Sequence, residues 1–449
     1  MSSINAYREQ PDDQRAGMPP GIPFIIANEA AERFSYYGMR AILVVYMTQY
    51  LTDRNGALAV MSEHEAQGYF HLFVSAIYFL PLLGAVIADG MLGKYRTIIL
   101  LSLAYCLGHL AMSLDSTRLG LMLGQGLIAL GAGGIKPCVS AHVGDQFGKT
   151  NQHLIGTVFS WFYLAINFGA FGAMLLMPWL LSNFGPGMAF GVPGVLMLIA
   201  TVIFWSGRYR FVHIKPVGSG FLKDLSKPHE RQTLLKLALI YAFFAIFWSL
   251  FDQTGSSWVL QAQKMDRVLL GIELLPSQIQ AANPLLILIL TPLFTYVIYP
   301  KLRQWLPLTD LNKIAIGFFL AVVAFTITSL IQANIDQGGS PSILWQLIAY
   351  VALTSAEVMV SITGLEFSYR QAPKSMKSLV MSLYMLSVAM GNLLAGGVNF
   401  LIGAFDKSGL LSGDNYFWFF TGLMLVTALM FLWLSLRYYE NNSVPDDQV

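Results

Sequence analysis

The sequence predicts an all-α membrane protein that crosses the bilayer many times, and three observations carry that prediction. Only 12% of the 449 residues are charged and 55% are hydrophobic, whereas about a quarter of the residues in a soluble domain are charged. Apolar runs of about 20 residues, long enough to cross a bilayer as helices, recur along the whole chain. Continuous apolar stretches such as Leu285 to Leu293 exclude transmembrane β-strands, in which polar and apolar residues alternate over about ten residues.

Charge and cysteine usage exclude several classes of partner. The net charge of +2 results from 27 basic and 25 acidic residues, so the sequence gives no reason to expect a nucleic-acid partner. The two cysteines, Cys106 and Cys138, both lie inside apolar stretches, which predicts neither a disulfide framework nor a metal site.

Twelve apolar runs are predicted as membrane-spanning helices, in two groups of six. The first run follows a polar tail without a small-residue cleavage pattern and is predicted to be retained in the protein. The first group comprises 23–51, 66–88, 97–113, 119–140, 154–181 and 187–207, and the second comprises 233–260, 279–300, 312–334, 343–369, 377–403 and 415–436. The predicted organisation is therefore a tail (1–22), a six-helix bundle (23–207), a linker (208–232), a second six-helix bundle (233–437) and a C-terminal tail (438–449).

The basic residues indicate the orientation of the chain in the membrane. Loops with Lys94 and Arg96 or with Lys301 and Arg303, together with the basic linker, alternate with loops that hold few basic residues. Because cytoplasmic loops are enriched in Lys and Arg, both termini are predicted to be cytoplasmic.

Two six-helix halves joined by a linker are typical of transporters with pseudo-symmetric halves and a central site. Between the second and third runs, residues 84–94 read GAVIADGMLGK. This segment resembles the loop signature of the major facilitator superfamily, which implies the fold of that superfamily. A simple polar turn with a C-cap glycine is the alternative interpretation.

The first predicted helix contains ionisable residues, which are costly in a membrane and usually functional. Glu29 and Arg33 lie at i,i+4, Glu32 lies beside them, and Arg40 follows two turns later on nearly the same face. Two carboxylates beside one guanidinium compete for it, so one is expected to bind a proton while the other stays ionised. This is the arrangement that a proton-coupled device needs, and a purely structural salt bridge is the alternative.

Four segments identify a family by resemblance. Residues 29–38 (EAAERFSYYG) resemble the helix-one signature of the proton-dependent oligopeptide transporter family, and 131–147 (GAGGIKPCVSAHVGDQF) resemble its helix-four signature. Residues 162–169 (FYLAINFG) resemble its helix-five signature, although Ala170 stands where Ser is usual, and 357–378 resemble its helix-ten signature. The match runs in the right order from about residue 24 to residue 400.

The resemblance implies a role for each charged residue of the spans. Lys136 and Glu357 are expected to face each other across a central cavity, the lysine toward the carboxylate of a peptide and the glutamate toward its amino group. They are also expected to form a gating salt bridge that the bound peptide breaks, and a static strut between the two halves is the alternative. Arg33 would lie with Lys136 on the same wall. Asp252 is expected to pair with Arg40 as an extracellular gate.

Further residues complete the predicted site. His71 matches the helix-two histidine that animal-type members link to protonation, so the predicted proton-coupling residues are Glu29, Glu32, His71 and Asp252. The predicted substrate-binding residues beyond the charged ones are two amides and four aromatic residues, for which packing or a helix kink is the alternative role: Asn167, Asn283, Tyr36, Tyr37, Tyr78 and Trp248.

The resemblance therefore implies a proton-coupled symporter that imports di- and tripeptides across the cytoplasmic (inner) membrane by alternating access. The short linker and short outer loops predict a minimal, prokaryotic-type member with twelve helices. We expect no cofactor, no obligate protein partner and no enzymatic activity. Transport of nitrate or another small solute in the same fold is the alternative, although a retained Glu357 argues against an anion.

Overall fold

The structure is a computed structural model that describes residues 7–216, 228–371, 377–406 and 409–441. It divides into two compact units, Met1–Ser226 with Leu275–Leu285, and Lys227–Leu274 with Leu286–Val449. The middle of the predicted linker (217–227) and most of the predicted C-terminal tail (442–449) lie outside the described residues. The predicted domain boundaries and the cytoplasmic location of the termini stay predictions.

The first unit is built from six α-helices of its own and two short turns. Its helices are α1 (Ile22–Gln49), α2 (Glu63–Phe79), α3 (Pro81–Ile87), α4 (Lys94–Leu114), α5 (Arg118–Gly144) and α6 (Ile155–Ser206), with a π-helical turn at Ala88–Leu92 and a 3₁₀ turn at Gln152–Leu154. The predicted second span thus contains α2 and α3, which are separated at Leu80 because Pro81 cannot continue the hydrogen-bonding pattern of α2.

The helix α4 shows how these helices suit a membrane. Leucines spaced by three and four residues, such as Leu103, Leu107 and Leu110, are exposed on one face. The opposite face buries polar side chains, among them Ser102 and His109. A helix that turns its apolar side chains outward and its polar ones inward is matched to lipid, which offers no hydrogen bonds.

The 52-residue helix α6 is two spans rather than one. Unbroken, it would measure about 78 Å, more than twice the hydrocarbon core of a bilayer. Gly185 breaks it with φ 78° and ψ −177°. A Cβ on Gly38 of α1 would lie 2.6 Å from Met177, and Ser35 Oγ of α1 donates to the carbonyl of Pro193. One short piece of α1 therefore contacts α6 on both sides of Gly185, so the chain folds back there as predicted.

The loop signature at 84–94 forms a tight connection. Gly84 lies so close to α5 that a Cβ would be 2.6 Å from Gly134 Cα. Gly93 has φ 77°, which suits glycine, and α4 starts directly after it. Lys94 Nζ lies 2.7 Å from Asp145 Oδ2 and so ties the start of α4 to the end of α5. The side chain of Asp89 lies outside the described residues.

A segment from the second half of the sequence belongs to the first unit. The 3₁₀ helix Pro276–Ala281 is fastened to α1 and α6 by two amide side chains. Gln280 Nε2 donates to the carbonyl of Ala41 over 3.0 Å, and Gln278 Nε2 donates to that of Leu175 over 2.9 Å. The sequence did not predict this association.

The remaining helices belong to the second unit, except for the first turn of one, whose residues 282–285 belong to the first unit. They are α7 (Pro228–Phe251), α8 (Ser257–Gln263), α9 (Ala282–Leu293), α10 (Tyr299–Leu302), α11 (Asp310–Asp336), α12 (Ile343–Glu357), α13 (Thr363–Gln371), α14 (Lys377–Phe405) and α15 (Asp414–Asn441). Asp252–Gly255 forms a 3₁₀ turn, and π-helical turns at Phe294–Ile298 and Val358–Ile362 interrupt two of the predicted spans. A two-stranded hairpin joins β1 (Val268–Leu269) to β2 (Ile272–Glu273).

Neutral amides hold the second unit together inside its apolar core. Gln261 Nε2 donates to the Thr328 carbonyl over 3.0 Å and to Gln332 Oε1 over 3.1 Å. Gln346 Nε2 donates to Gln261 Oε1 over 3.2 Å, and Gln332 Nε2 donates to Asp336 Oδ1 over 2.9 Å. Side chains of α8, α11 and α12 are thereby joined in one hydrogen-bonded series.

The twelve predicted spans can be matched to the described helices. Ten helical stretches are long and apolar enough to cross a membrane. One of them, Gln152–Ser206, holds two spans. The 28-residue helix α1, which contains four charged residues, corresponds to the first predicted span. These stretches give the twelve predicted spans.

Candidate functional site

The charged stripe of α1 is assembled as its spacing predicts. Arg33 Nε donates to Glu29 Oε1 over 2.7 Å and lies 3.2 Å from Glu32 Oε2. Glu29 and Glu32 are buried, with exposed fractions of 4% and 0%. Two carboxylates therefore share one guanidinium in a place where bulk water does not compete for them.

Lys136 on α5 lies among the aromatic residues that were predicted to line the site. Its Nζ is 4.7 Å from the centre of the Tyr36 ring and 4.1 Å from that of Tyr78. Tyr36 in turn contacts Tyr37 edge to face, with ring centres 5.1 Å apart. Cation–π contacts of this kind stabilise a buried ammonium group. The charges of Glu32 and Glu29 are also within electrostatic range of Lys136.

Arg40 and His71 lie close to each other near the other end of α1. Arg40 Cζ is 5.4 Å from the centre of the Phe70 ring, and that ring meets the His71 imidazole edge to face at 5.2 Å. His71 is fully buried and Arg40 is 6% exposed. Arg40, predicted for gating, and His71, predicted for proton coupling, thus both contact the Phe70 ring.

The two predicted amides have different surroundings. Asn167 is buried, and its Nδ2 donates to the Tyr163 carbonyl one turn earlier in α6 over 2.8 Å. Asn283 is half-buried near the start of α9, directly before Pro284.

In the second unit, Asp252 has a partner that the sequence did not predict. It is buried in the 3₁₀ turn after α7, and its Oδ2 accepts a hydrogen bond from Asn392 Nδ2 of α14 over 2.6 Å. Trp248 lies one turn earlier, 8% exposed, with its ring 5.3 Å from Phe247 and 5.4 Å from Phe251.

Glu357 is the last residue of α12 and is only half-buried. The π-helical turn Val358–Ile362 follows directly. Such turns insert one extra residue and are frequent at functional sites. The Tyr384 phenol of α14 is within electrostatic range of Glu357.

The expected pairs Lys136–Glu357 and Arg40–Asp252 each join residues of different units and stay predictions.

Sequence reasoning missed Asn392 because an amide in an apolar helix carries no distinctive pattern. It also missed Asn28, which lies one turn before Glu32 on the same face of α1 and is fully buried. Spacing would have found Asn28 if neutral amides had been sought beside the carboxylates.

Comparison with known proteins agrees with this geometry. The model of the POT family matches residues 95–229 and 223–419. Peptide transporter family 1 of Drosophila melanogaster is 38% identical over 380 residues, which cover 74% of this chain and 50% of that protein. The chain spans about half the length of the curated relatives that it matches.

Solved structures match over nearly their whole length. The crystal structure of the POT family transporter PepTSo has a TM-score of 0.88 at 36% identity, covering 95% of this chain and 99% of that one. A crystal structure of a proton dependent oligopeptide (POT) family transporter has a TM-score of 0.79 at 37% identity, covering 91% and 100%. The predicted fold, a multi-pass helical membrane protein of the major facilitator type, is confirmed, and the matching family is one of transporters and not of enzymes. The chain belongs to the proton-dependent oligopeptide transporter (POT) family.

Proposed function

We propose that the protein imports di- and tripeptides together with protons across the cytoplasmic (inner) membrane by alternating access. The observation that carries this proposal is the buried cluster of the first unit, in which Arg33, Glu29 and Glu32 adjoin the aromatic-bound Lys136. The proton gradient supplies the energy, and neither a cofactor nor an obligate protein partner is needed.

The charges of this cluster suit one end of a zwitterion. Arg33, Arg40 and Lys136 together exceed the two carboxylates by one positive charge when all five are ionised. A peptide carboxylate would meet that surplus charge. Glu357 in the second unit would receive the amino group, and such complementarity selects the features that all peptides share.

Coupling to protons follows from the two carboxylates that share Arg33. Protonation of Glu32 or Glu29 leaves the other carboxylate as the sole acidic partner of Arg33 and increases the surplus positive charge. Binding of a peptide carboxylate then becomes more favourable, so that proton and peptide bind together. His71 and Asp252 are the further proposed proton sites, and the pair Arg40–Asp252 is the proposed outer gate.

Uptake into proteoliposomes tests this function. The purified protein should accumulate a labelled dipeptide against its gradient when the external medium is more acidic, and not when a protonophore is added. Unlabelled tripeptides should compete and nitrate should not. Competition by nitrate without competition by peptides would replace the proposal by transport of a small anion.

Glu357→Gln tests the role of the carboxylate in the second unit. We expect dipeptide affinity to fall about tenfold or more, because the amino group loses a charged partner. The matched control is Glu366→Gln, which neutralises an exposed carboxylate two turns later. Unchanged affinity in Glu357→Gln, measured by competition binding, would exclude Glu357 from the peptide site.

A further inference from the structure

On the face of α1 that carries Glu32, the helix buries polar atoms that have no hydrogen-bond partner among the described residues. Asn28 and Glu32 are both 0% exposed and lie one turn apart on the same face of α1. Neither amide atom of Asn28, and neither oxygen of Glu32, has a hydrogen-bond partner within the described chain. The contact of Glu32 with Arg33 Nε, at 3.2 Å, is an ion pair without hydrogen-bond geometry.

A matching stripe lies on α4. Ser102, Tyr105 and His109 follow one another at spacings of three and four residues and are at most 1% exposed. Ser102 Oγ, the Tyr105 hydroxyl and His109 Nε2 have no hydrogen-bond partner among the described residues. The ring centres of Tyr105 and His109 are 5.1 Å apart, so the stripe is continuous.

The two stripes lie at the same level in the first unit. Ser35 of α1 donates to the Pro193 carbonyl over 2.8 Å, and a Cβ on the adjacent Gly194 would lie 2.8 Å from His109 Cβ. Ser35 and His109 therefore contact the same turn of α6.

One turn toward the start of each helix, Glu32 and the Tyr105 phenol interact electrostatically. Asn28 follows one turn further along α1, four residues before Glu32, and Ser102 follows one turn further along α4, three residues before Tyr105. The polar faces of α1 and α4 thus correspond turn by turn.

Six polar atoms of the four buried residues Asn28, Glu32, Ser102 and Tyr105 consequently lie on these two stripes without a hydrogen-bond partner among the described residues. Leaving a buried polar group unsatisfied costs about 1–3 kcal/mol, and such groups in native proteins bind internal water when protein partners are missing. A water molecule needs two to four polar partners, and Asn28, Glu32, Ser102 and Tyr105 provide them.

We propose that Asn28, Ser102 and Tyr105 hold internal water that is the proton-exchange partner of Glu32, on the side of α1 away from Arg33. This proposal rests on the proposed proton coupling and deepens it. Glu32 would bind the guanidinium on one side and exchange its proton on the other. Proton and peptide would then reach the same carboxylate by separate routes.

The transfer itself is simple in its chemistry. The O–H bond of the protonated Glu32 carboxyl breaks, an adjacent water molecule takes that proton and passes one of its own to the next water, and an ionised carboxylate remains. Tyr105 and Asn28 donate to and accept from these molecules and keep their own protons. They are positioning residues for the proton transfer.

Several charged or titratable groups face Glu32 and must be considered in its pH response. Arg33 and Glu29 lie on its own helix, Lys136 faces it from α5 and Tyr105 faces it from α4. The sequence of α6, which packs along α1, contains no charged residue. Tyr105 and His109 lie on the α4 stripe, and Tyr105, which is within electrostatic range of both Glu32 and Arg33, has the hydroxyl to test.

Tyr105→Phe removes one oxygen and keeps the ring that packs on His109. We expect proton-driven dipeptide uptake to slow about tenfold, the rate equivalent of one lost hydrogen bond in the transfer path. Dipeptide counterflow without a proton gradient should remain within about twofold of wild type. The matched control is Tyr46→Phe, which removes a buried tyrosine hydroxyl on α1 that lies beyond the two stripes. A Tyr105→Phe protein with normal proton-driven uptake, or one that loses counterflow equally, would overturn the proposal.

Infrared spectroscopy of the detergent-solubilised protein supplies a test that does not depend on transport. The carboxyl stretching band of protonated Glu32, assigned by its loss in Glu32→Gln, should shift to higher frequency in Tyr105→Phe and in Asn28→Leu, because the carbonyl loses hydrogen bonds from the water. An unshifted band in both variants would refute the water site. If wild type shows no proton-driven uptake while the band shifts as expected, the proposed function fails and the water site stands.

Discussion

The two units differ in the kind of polar side chain that forms their largest buried cluster. In the first unit, ionisable side chains gather on α1 and α5, and several of their atoms have no hydrogen-bond partner within the described residues. In the second unit, Gln261, Gln332 and Gln346 of α8, α11 and α12 hydrogen-bond to one another, to carbonyls and to the Asp336 carboxylate, and of these three side chains only Gln346 Oε1 has no partner among the described residues. Buried Asp252 there accepts from an amide as well.

The cluster of the first unit contains carboxylates, which can bind protons, whereas the series of the second unit is built mainly from amides. Carboxylates that share a guanidinium have two alternative arrangements, with and without a proton. Amides do not titrate, so a series of amides has one arrangement at every physiological pH. We infer that most of the proton-dependent change originates in the first unit, and that in the second unit the glutamine series stays constant while Asp252 is the proposed titratable group.

The largest expected effect comes from removing the titratable group of the first unit. Glu32→Gln keeps the shape of the side chain but cannot exchange a proton. We expect uphill accumulation of dipeptide in a proton gradient to be abolished while counterflow persists, both measured in proteoliposomes. Gradient-driven accumulation at the wild-type level in this variant would show that the two units do not differ in the proposed way.

A medium effect is expected from breaking the amide series of the second unit. Gln261→Leu leaves Gln332 Oε1 and the Thr328 carbonyl without their donor, which should lower the free energy of unfolding by about 1–3 kcal/mol. Titration with sodium dodecyl sulfate measures this change, and the pH dependence of uptake should stay as in wild type. Gln337→Leu, at an exposed position after α11, serves as control. A pH profile displaced in Gln261→Leu would contradict a pH-independent glutamine series.

The smallest effect concerns the N-terminal tail of the first unit. His213 is half-buried, its backbone N–H donates to the Arg8 carbonyl over 2.7 Å, and its ring centre lies 4.2 Å from that of Tyr7. Burial lowers the pKa of His213, so the folded tail favours neutral histidine. Its contribution to stability is complete above the unfolded pKa of about 6.5 and decreases as the pH falls below it.

Proteolysis of the tail measures this dependence. Between pH 7.5 and pH 5.5 we expect cleavage within residues 7–17 to accelerate by about twofold relative to a peptide substrate that corrects for the protease itself. His213→Gln should remove the pH dependence. Equal acceleration in this variant would assign the effect to another group.

Sequence spacing predicted those parts of the site that lie within one helix. Glu29 and Arg33 meet because i,i+4 positions are neighbours on any α-helix, and that contact is confirmed at 2.7 Å. The resemblance to family motifs named Lys136, Tyr36 and Tyr78 as members of the site. Their mutual contact depends on the packing of three helices and could not be read from the chain.

Contacts between distant segments account for what was missed. Asn392 lies 140 residues from Asp252, and no local pattern marks an amide that will hydrogen-bond so far along the sequence. The π-helical turns at Phe294–Ile298 and Val358–Ile362 were also missed. One extra residue in a turn hardly alters the hydrophobic pattern of a span, so hydropathy shows one continuous helix.

The amide contacts of Pro276–Ala281 have a consequence for dividing the chain. A protein cut in the linker would yield an N-terminal fragment in which the carbonyls of Ala41 and Leu175 had lost the donors Gln280 and Gln278. The sequence halves are therefore not interchangeable cassettes. In a chimera of two relatives, residues 275–285 must therefore come from the same relative as the N-terminal half, or be replaced by a segment with equivalent amides.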